Sequence, residues 1–133
     1  MSALARFFHY NGVEVHGYDR TESPLTGKLE AEGMNIHYEE DLEKIPAGID
    51  LVVYTPAVPA THKELQYFRA EGFPVKKRAE VLGIISRSKK TAAVAGTHGK
   101  TTTSSILAHL LRASGIPVTA FLGGIAQNFN SNF

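Results

Sequence analysis

The chain has 133 residues, 43% of them hydrophobic and 20% charged, with fourteen Lys and Arg against thirteen Asp and Glu. That length buries one core and leaves little room for two complete domains of about 100–150 residues each, and a formal charge of +1 excludes a field-scale attraction to nucleic acid or an anionic membrane. With no cysteine, a disulfide framework, a thiolate metal site and a cysteine nucleophile are excluded as well.

Ser2 to Tyr10 carries Leu4, Phe7 and Phe8 with Ala3 and Ala5 at helical spacing, and Gly12 stands where a helix-ending glycine belongs. The same stretch lacks a basic n-region and a cleavage site, and no apolar run reaches the roughly 20 residues of a membrane span, so a cytoplasmic protein is the default expectation. Val13 to Tyr18 reads as a short strand, Asp19 to Pro24 as a polar loop, and Leu25 to Glu32 as a helix closed by Gly33. Met34 to His37 reads as a second strand and Glu39 to Lys44 as a short acidic helical turn, whose Glu39-Glu40-Asp41 is a solvated helix start rather than an acid–base pair.

Asp50 to Thr55 is a near-continuous apolar run, the pattern of a parallel strand covered on both faces, and the prolines of Pro56-Ala57-Val58-Pro59 end it. Thr61 to Ala70 is predicted helical, Phe73 to Lys76 a strand, Ala79 to Ile85 an amphipathic helix, and Ser86 to Lys90 a linker. Thr91 to Ala95 is then a small apolar strand, Gly96 to Lys100 a loop, and Thr101 to Ser114 a helix whose Ile106, Leu107, Leu110 and Leu111 face a core. Gly115 caps that helix and Pro117 to Leu122 begins another strand. The sustained alternation predicts an α/β fold with a parallel sheet and right-handed crossovers.

Strand, then Gly96-Thr97-His98-Gly99-Lys100-Thr101-Thr102-Thr103, then helix is the setting of a phosphate-binding loop. The glycines let backbone N–H groups point at phosphate oxygens, and the helix that follows presents its positive end to the same anion. Lys100 supplies a cation for the terminal phosphates, and the Thr101 hydroxyl is placed to hold a Mg²⁺ ion bridging them. The loop departs from the common G-x-x-x-x-G-K-[ST], since Val94 stands where that pattern has its first glycine.

These residues resemble the short phosphate loop G-T-x-G-K-[TS] of the Mur ligases of bacterial cell-wall synthesis. His98 at the variable position resembles the members that add L-alanine to UDP-N-acetylmuramate and those that reattach a recycled tripeptide. Met1 to Arg6 is similar to the helix start after the family's N-terminal glycine-rich loop, and Gly17-Tyr18-Asp19-Arg20 to the end of its second strand. Val52 to Ala57 resembles the segment facing the UDP-sugar, Arg78 to Leu82 the helix before the central domain, and Gly123-Gly124 with Asn132 the start of the substrate-side segment.

The resemblance implies a Rossmann-like parallel-sheet domain over residues 1–88, lacking its first strand, followed over 89–133 by the opening of a P-loop α/β central domain. It implies ATP-dependent ligation in peptidoglycan synthesis, and with it a part in cell shape and division. ATP phosphorylates the lactyl carboxylate of UDP-N-acetylmuramate, L-alanine attacks the acyl phosphate, and Lys100 serves as the catalytic residue. ATP and Mg²⁺ are the expected cofactors, with Gly96, Thr97, His98, Gly99, Lys100, Thr101 and Thr102 around the nucleotide and Thr101 on the metal. The family's G-x-G-G-x-G, its later metal-binding positions and its C-terminal domain have no counterpart in these residues, so the chain is expected to be a piece of the enzyme and inactive by itself.

Other residues admit two readings. Asp19, at a strand end, either accepts hydrogen bonds from a ribose or base or forms a turn. Thr55, Pro56 and Ala57 either face a ligand at the carboxyl end of a strand or form a rigid proline turn. His98 is a nucleotide contact or a solvent-facing loop residue, and the remaining histidines, His9, His16, His37, His62 and His109, show no ligand spacing and are read as surface or packing residues. Among Asn128, Asn130, Ser131 and Asn132, the last is a substrate contact by resemblance or simply part of a polar chain end. A non-catalytic nucleotide-binding module is the alternative from another class, and an NAD-binding domain is weakened by the missing fingerprint. Strand edges left without partners predict self-association.

Overall fold

Helix α1 covers Ser2–Tyr10, with Gly12 following its C-cap Asn11 in the left-handed region. The computed structural model describes residues 1–125 and 131–133, and the readings at Asn128 and Asn130 lie outside the described residues. Strand β1 is His16–Tyr18, helix α2 Pro24–Ala31 and strand β2 Asn35–His37. A 3₁₀ turn at Leu42–Lys44 precedes β3 at Val52–Tyr54, α3 at Lys63–Ala70, β4 at Val75–Lys77 and α4 at Arg78–Arg87. Helix α5, Lys100–Ala113, follows the glycine-rich loop.

Local chemistry fixes several of these boundaries. Ser23 and Thr26 exchange hydrogen bonds at the start of α2, Thr26 N–H donating to Ser23 Oγ at 3.2 Å and Ser23 N–H to Thr26 Oγ1 at 2.9 Å, with Pro24 in the first helical position. Asp41 Oδ1 accepts from Glu43 N–H at 3.0 Å and starts the 3₁₀ turn. The acidic cluster there is more than a solvated helix start, because Glu40 Oε2 accepts from Lys63 N–H at 2.9 Å at the beginning of α3.

The strands form two parallel pairs. His16, Gly17 and Tyr18 of β1 stand opposite Asn35, Ile36 and His37 of β2, and Val52, Val53 and Tyr54 of β3 opposite Val75, Lys76 and Lys77 of β4. Each strand has one ladder partner among the described residues, so each of the four keeps one edge unpaired. α1 packs on α2, α2 on β2, and α4 on β3 and β4. The buried apolar residues Leu4, Leu29, Met34, Leu65 and Val81 mark the core between these elements.

Five sequence expectations are corrected. Thr91–Ala95 is irregular and, apart from half-buried Val94, exposed; Pro117–Leu122 is also irregular, though Leu122 N–H reaches Asn132 O at 2.9 Å. A strand exists only by pairing, and no ladder partner meets either stretch among the described residues. The predicted linker starts later, because Ser86 and Arg87 complete the last turn of α4. β3 is half-buried instead of covered on both faces. On α5 Ala108 is buried and Leu107 and Leu111 are half-buried, while Ile106 and Leu110 are 54% and 57% exposed, so only part of the apolar stripe expected to face a core is covered.

Candidate functional site

Gly99 makes the loop ahead of α5 possible. It is the N-cap residue at φ 75°, a left-handed conformation that side-chain-bearing residues adopt at a cost, and Gly96 at φ 152° lies in another region open to glycine. No side chain caps α5. Its first-turn N–H groups and its positive dipole end are therefore presented at an exposed loop, the combination that receives an anion.

Lys100, the first residue of α5, folds back over the loop. Its Nζ donates to Gly96 O at 2.6 Å and to Thr97 O at 3.1 Å, which puts the ammonium across the mouth of the turn. Thr97, His98 and Thr102 are exposed around it. Thr101 meets a second segment: a Cβ added to Gly123 would lie 3.0 Å from Thr101 Oγ1, and one added to Gly124 3.9 Å from Thr101 Cγ2. A side chain at Gly123 would crowd the threonine hydroxyl, which would have to give by a few tenths of an ångström.

These residues fit a magnesium-bound nucleotide polyphosphate. Uncapped amides, a cation and a hydroxyl converge on one exposed turn, as phosphate oxygens and their metal require. Among the described residues no group of three or more His, Cys, Asp or Glu is arranged to hold a metal ion. A metal here would depend on phosphate oxygens together with Thr101, in keeping with the reluctance of Mg²⁺ to shed its waters for an all-protein cage.

A second group lies at the carboxyl ends of the strands. Asp19 follows β1, and its Oδ1 accepts from Thr21 N–H at 3.2 Å, which realises the turn-forming reading. Its carboxylate also acts on the α-amino group of Met1, where burial, chiefly, and the positive charge of Arg78 lower the pKa from its ordinary value while Asp19 pulls it upward. After β3, Thr55 O accepts from Val58 N–H at 3.0 Å, so Pro56 and Ala57 sit inside a tight turn, exposed beside half-buried Thr55.

Asn132 belongs to neither group as a free contact. It is buried, its Oδ1 accepts from Arg6 Nη1 at 2.6 Å, and its Nδ2 donates to Ser2 Oγ at 2.8 Å. Both ends of the amide are engaged within the chain, each by one hydrogen bond. Arg6 is held in turn by Glu32, through Nε at 2.8 Å to Oε2 and Nη2 at 2.7 Å to Oε1. Rings of Phe7, Phe121 and Phe133 stack beside this network at centroid distances of 5.4 to 6.0 Å.

Sequence reasoning missed Arg6, Glu32 and the His37–Glu64 pair, because their partners lie 26 to 126 positions apart and no spacing rule links them. His62 is a packing residue, as expected, and also the N-cap of α3, its Nδ1 accepting from Leu65 N–H at 3.5 Å while its edge meets the Tyr18 ring at 4.5 Å. No helix among the described residues is long and apolar enough to cross a membrane.

The described residues thus combine a Rossmann-like α/β arrangement with a glycine-rich loop that bears Lys100 at the start of a helix. The chain belongs to the Mur ligase family, whose model, described as the catalytic domain, matches residues 1–90. It is 53% identical over 99% of its length to the UDP-N-acetylmuramate–L-alanine ligase of Cytophaga hutchinsonii and 56% identical, again over 99%, to that of Flavobacterium johnsoniae. It spans about three-tenths of the length of these curated relatives, 29% and 30% respectively. Among solved structures it superposes on 31% of the UDP-N-acetylmuramate–alanine ligase of Thermotoga maritima with TM-score 0.90 and 35% identity, covering 99% of this chain. It also superposes on 42% of the UDP-N-acetylmuramate:L-alanyl-γ-D-glutamyl-meso-diaminopimelate ligase of Neisseria meningitides, with TM-score 0.88 and 28% identity over 99% of this chain.

Proposed function

We propose that the chain is the nucleotide-sugar-binding part and the ATP phosphate loop of a ligase that joins L-alanine to UDP-N-acetylmuramate. The observation that carries the reading is the loop itself, with Gly99 in the left-handed region, an uncapped α5 and the Lys100 ammonium across its mouth. Identities of 53% and 56% to relatives named for that reaction favour L-alanine as the amine. The division into residues 1–88 and 89–133 is supported by the end of α4 at Arg87 and of the family match at residue 90.

Bound Mg·ATP would supply the activated phosphoryl group for a carboxylate. The chain's own part is to seat and orient it: amides of Gly96 to Thr101 face the phosphate oxygens, with Thr97, His98 and Thr102 at the rim. Lys100 would exchange its two carbonyl partners for phosphate, and the Thr101 hydroxyl would help hold the metal. Asp19 and the Thr55-Pro56-Ala57 turn form the floor on which the nucleotide-sugar lies, at the side where such sheets bind ligands. The reaction belongs to the cytoplasm, where UDP-linked precursors and ATP meet.

The tripeptide-attaching reaction is the second reading, favoured by the TM-score of 0.88 to the Neisseria enzyme. Calorimetric titration of the chain with a non-hydrolysable Mg·ATP analogue, and separately with UDP-N-acetylmuramate, tests the binding roles. Absence of both interactions overturns them. Phosphate release by the chain that depends on UDP-N-acetylmuramate and L-alanine together would overturn the expectation that it is inactive alone, and release with the tripeptide but not L-alanine would favour the second reading.

A further inference from the structure

The amide of Asn132 has one allowed orientation. Arg6 can only donate, so Oδ1 faces its guanidinium at 2.6 Å and Nδ2 is left to donate to Ser2 Oγ at 2.8 Å. Glu32 holds the guanidinium by its other nitrogens, and Asn132 is 7% exposed, so the side chain is held by two hydrogen bonds, one of them to an arginine that is itself anchored. Its backbone carbonyl accepts from Leu122 N–H at 2.9 Å, and Leu122 is buried. The next residue, Gly123, runs beside Thr101, close enough that a Cβ added to it would come within 3.0 Å of Thr101 Oγ1. An unbroken path of contacts therefore runs from Ser2 and Arg6 on α1, through Asn132, Leu122 and Gly123, to the hydroxyl at the start of α5.

We infer that Asn132 is a positioning residue of the nucleotide site, holding Gly123 against Thr101 so that the threonine hydroxyl keeps one rotamer. The inference rests on the reading of Gly96–Thr101 as a nucleotide's phosphate loop. A threonine side chain on an exposed first turn is otherwise free to rotate, and a hydroxyl already confined gives up less freedom on taking a metal ion. Release of Asn132 lets residues 121–124 move off, and the metal-dependent part of nucleotide binding weakens while the part owed to Lys100 and the loop amides stays.

The test uses the 133-residue chain labelled at threonine methyl groups, with NMR of the Thr101 methyl and calorimetry of a non-hydrolysable ATP analogue with and without Mg²⁺. Asn132→Ala is expected to shift the Thr101 methyl signal and to cut the affinity gained on adding Mg²⁺ by about three- to tenfold, leaving the metal-free affinity as in the parent. Asn132→Asp, which keeps an acceptor for Arg6, restores part of that gain. Thr26→Ala, which removes the α2 cap, lowers stability without moving the Thr101 signal.

If Asn132→Ala leaves the methyl signal and the Mg²⁺-dependent gain unchanged, or alters them no more than Thr26→Ala does, the inference is overturned. If Asn132→Ala does not fold, Ser2→Ala, which removes one partner of the same amide, is judged by the same two readouts. A parent chain that binds no nucleotide overturns the phosphate-loop reading instead, and the Thr101 signal alone then decides whether Asn132 positions it.

Discussion

His37 and Glu64 meet at 2.9 Å between β2 and the first turn of α3, with Glu64 Oε1 accepting at the same time from the N–H of Asp41 at 3.1 Å. One buried oxygen therefore joins a strand, a loop and a helix. Glu64→Ala leaves the Asp41 N–H and the His37 ring without their acceptor, and a cost of about 1–3 kcal/mol is expected. Glu64→Gln keeps an amide oxygen in place and loses less. Urea unfolding followed by circular dichroism checks both, and an unchanged midpoint in Glu64→Ala would refute the linking role.

Lys100→Ala should separate binding from stability. The side chain is exposed and its partners are carbonyls of its own loop, so the melting temperature stays close to that of the parent. A charge-assisted contact to phosphate is worth about 1.5–3 kcal/mol, so affinity for an ATP analogue should drop by roughly ten- to hundredfold. Equal binding by parent and variant would remove Lys100 from the site.

The Met1 α-amino group gives a pH signature. Its pKa lies below the ordinary 8.0 in the folded chain, chiefly through burial and next through Arg78, so the folded state holds fewer protons than the unfolded one in the window beneath that value. Stability contributed by this group rises with pH through the window and levels off above about 8. A chain acetylated at the α-amino group should lack that rise. Melting curves of the two forms across the window decide the matter, and identical slopes would contradict the assignment.

Self-association is expected from two exposed features. β1 and β3 each keep an unpaired edge among the described residues, and Ile106 and Leu110 lie bare on α5. Light scattering at micromolar concentration should give a mass above the monomer, lowered by Leu110→Lys if the α5 stripe contributes. A monomeric mass for the parent chain would rule this out.

Much of this architecture was legible along the chain because its signals are local. Helical spacing and a following glycine mark α1, Gly33 marks the end of α2 although its start at Pro24 reads as loop, and the glycine–lysine–threonine loop stands out by residue type alone. What stayed hidden depends on partners far away in sequence. Thr91–Ala95 has the composition of a strand but meets no ladder partner among the described residues, and the apolar stripe of α5 has the period of a core face while only Leu107 and Leu111 of its four residues are half-buried. Asn132 was visible as a polar residue in a polar cluster, but that its amide is locked by Arg6 and Ser2 follows only from folding that brings residues 126 and 130 positions apart together.

The lysine bridging Gly96 O and Thr97 O has one more consequence. Any incoming ligand competes with the protein's own carbonyls for that cation. On the phosphate-loop reading proposed above, a single weakly charged oxygen would offer Lys100 no better than it already has, whereas a polyphosphate would bring several charged oxygens at once. The loop would then set an admission threshold with its own backbone, ahead of any recognition of base or sugar.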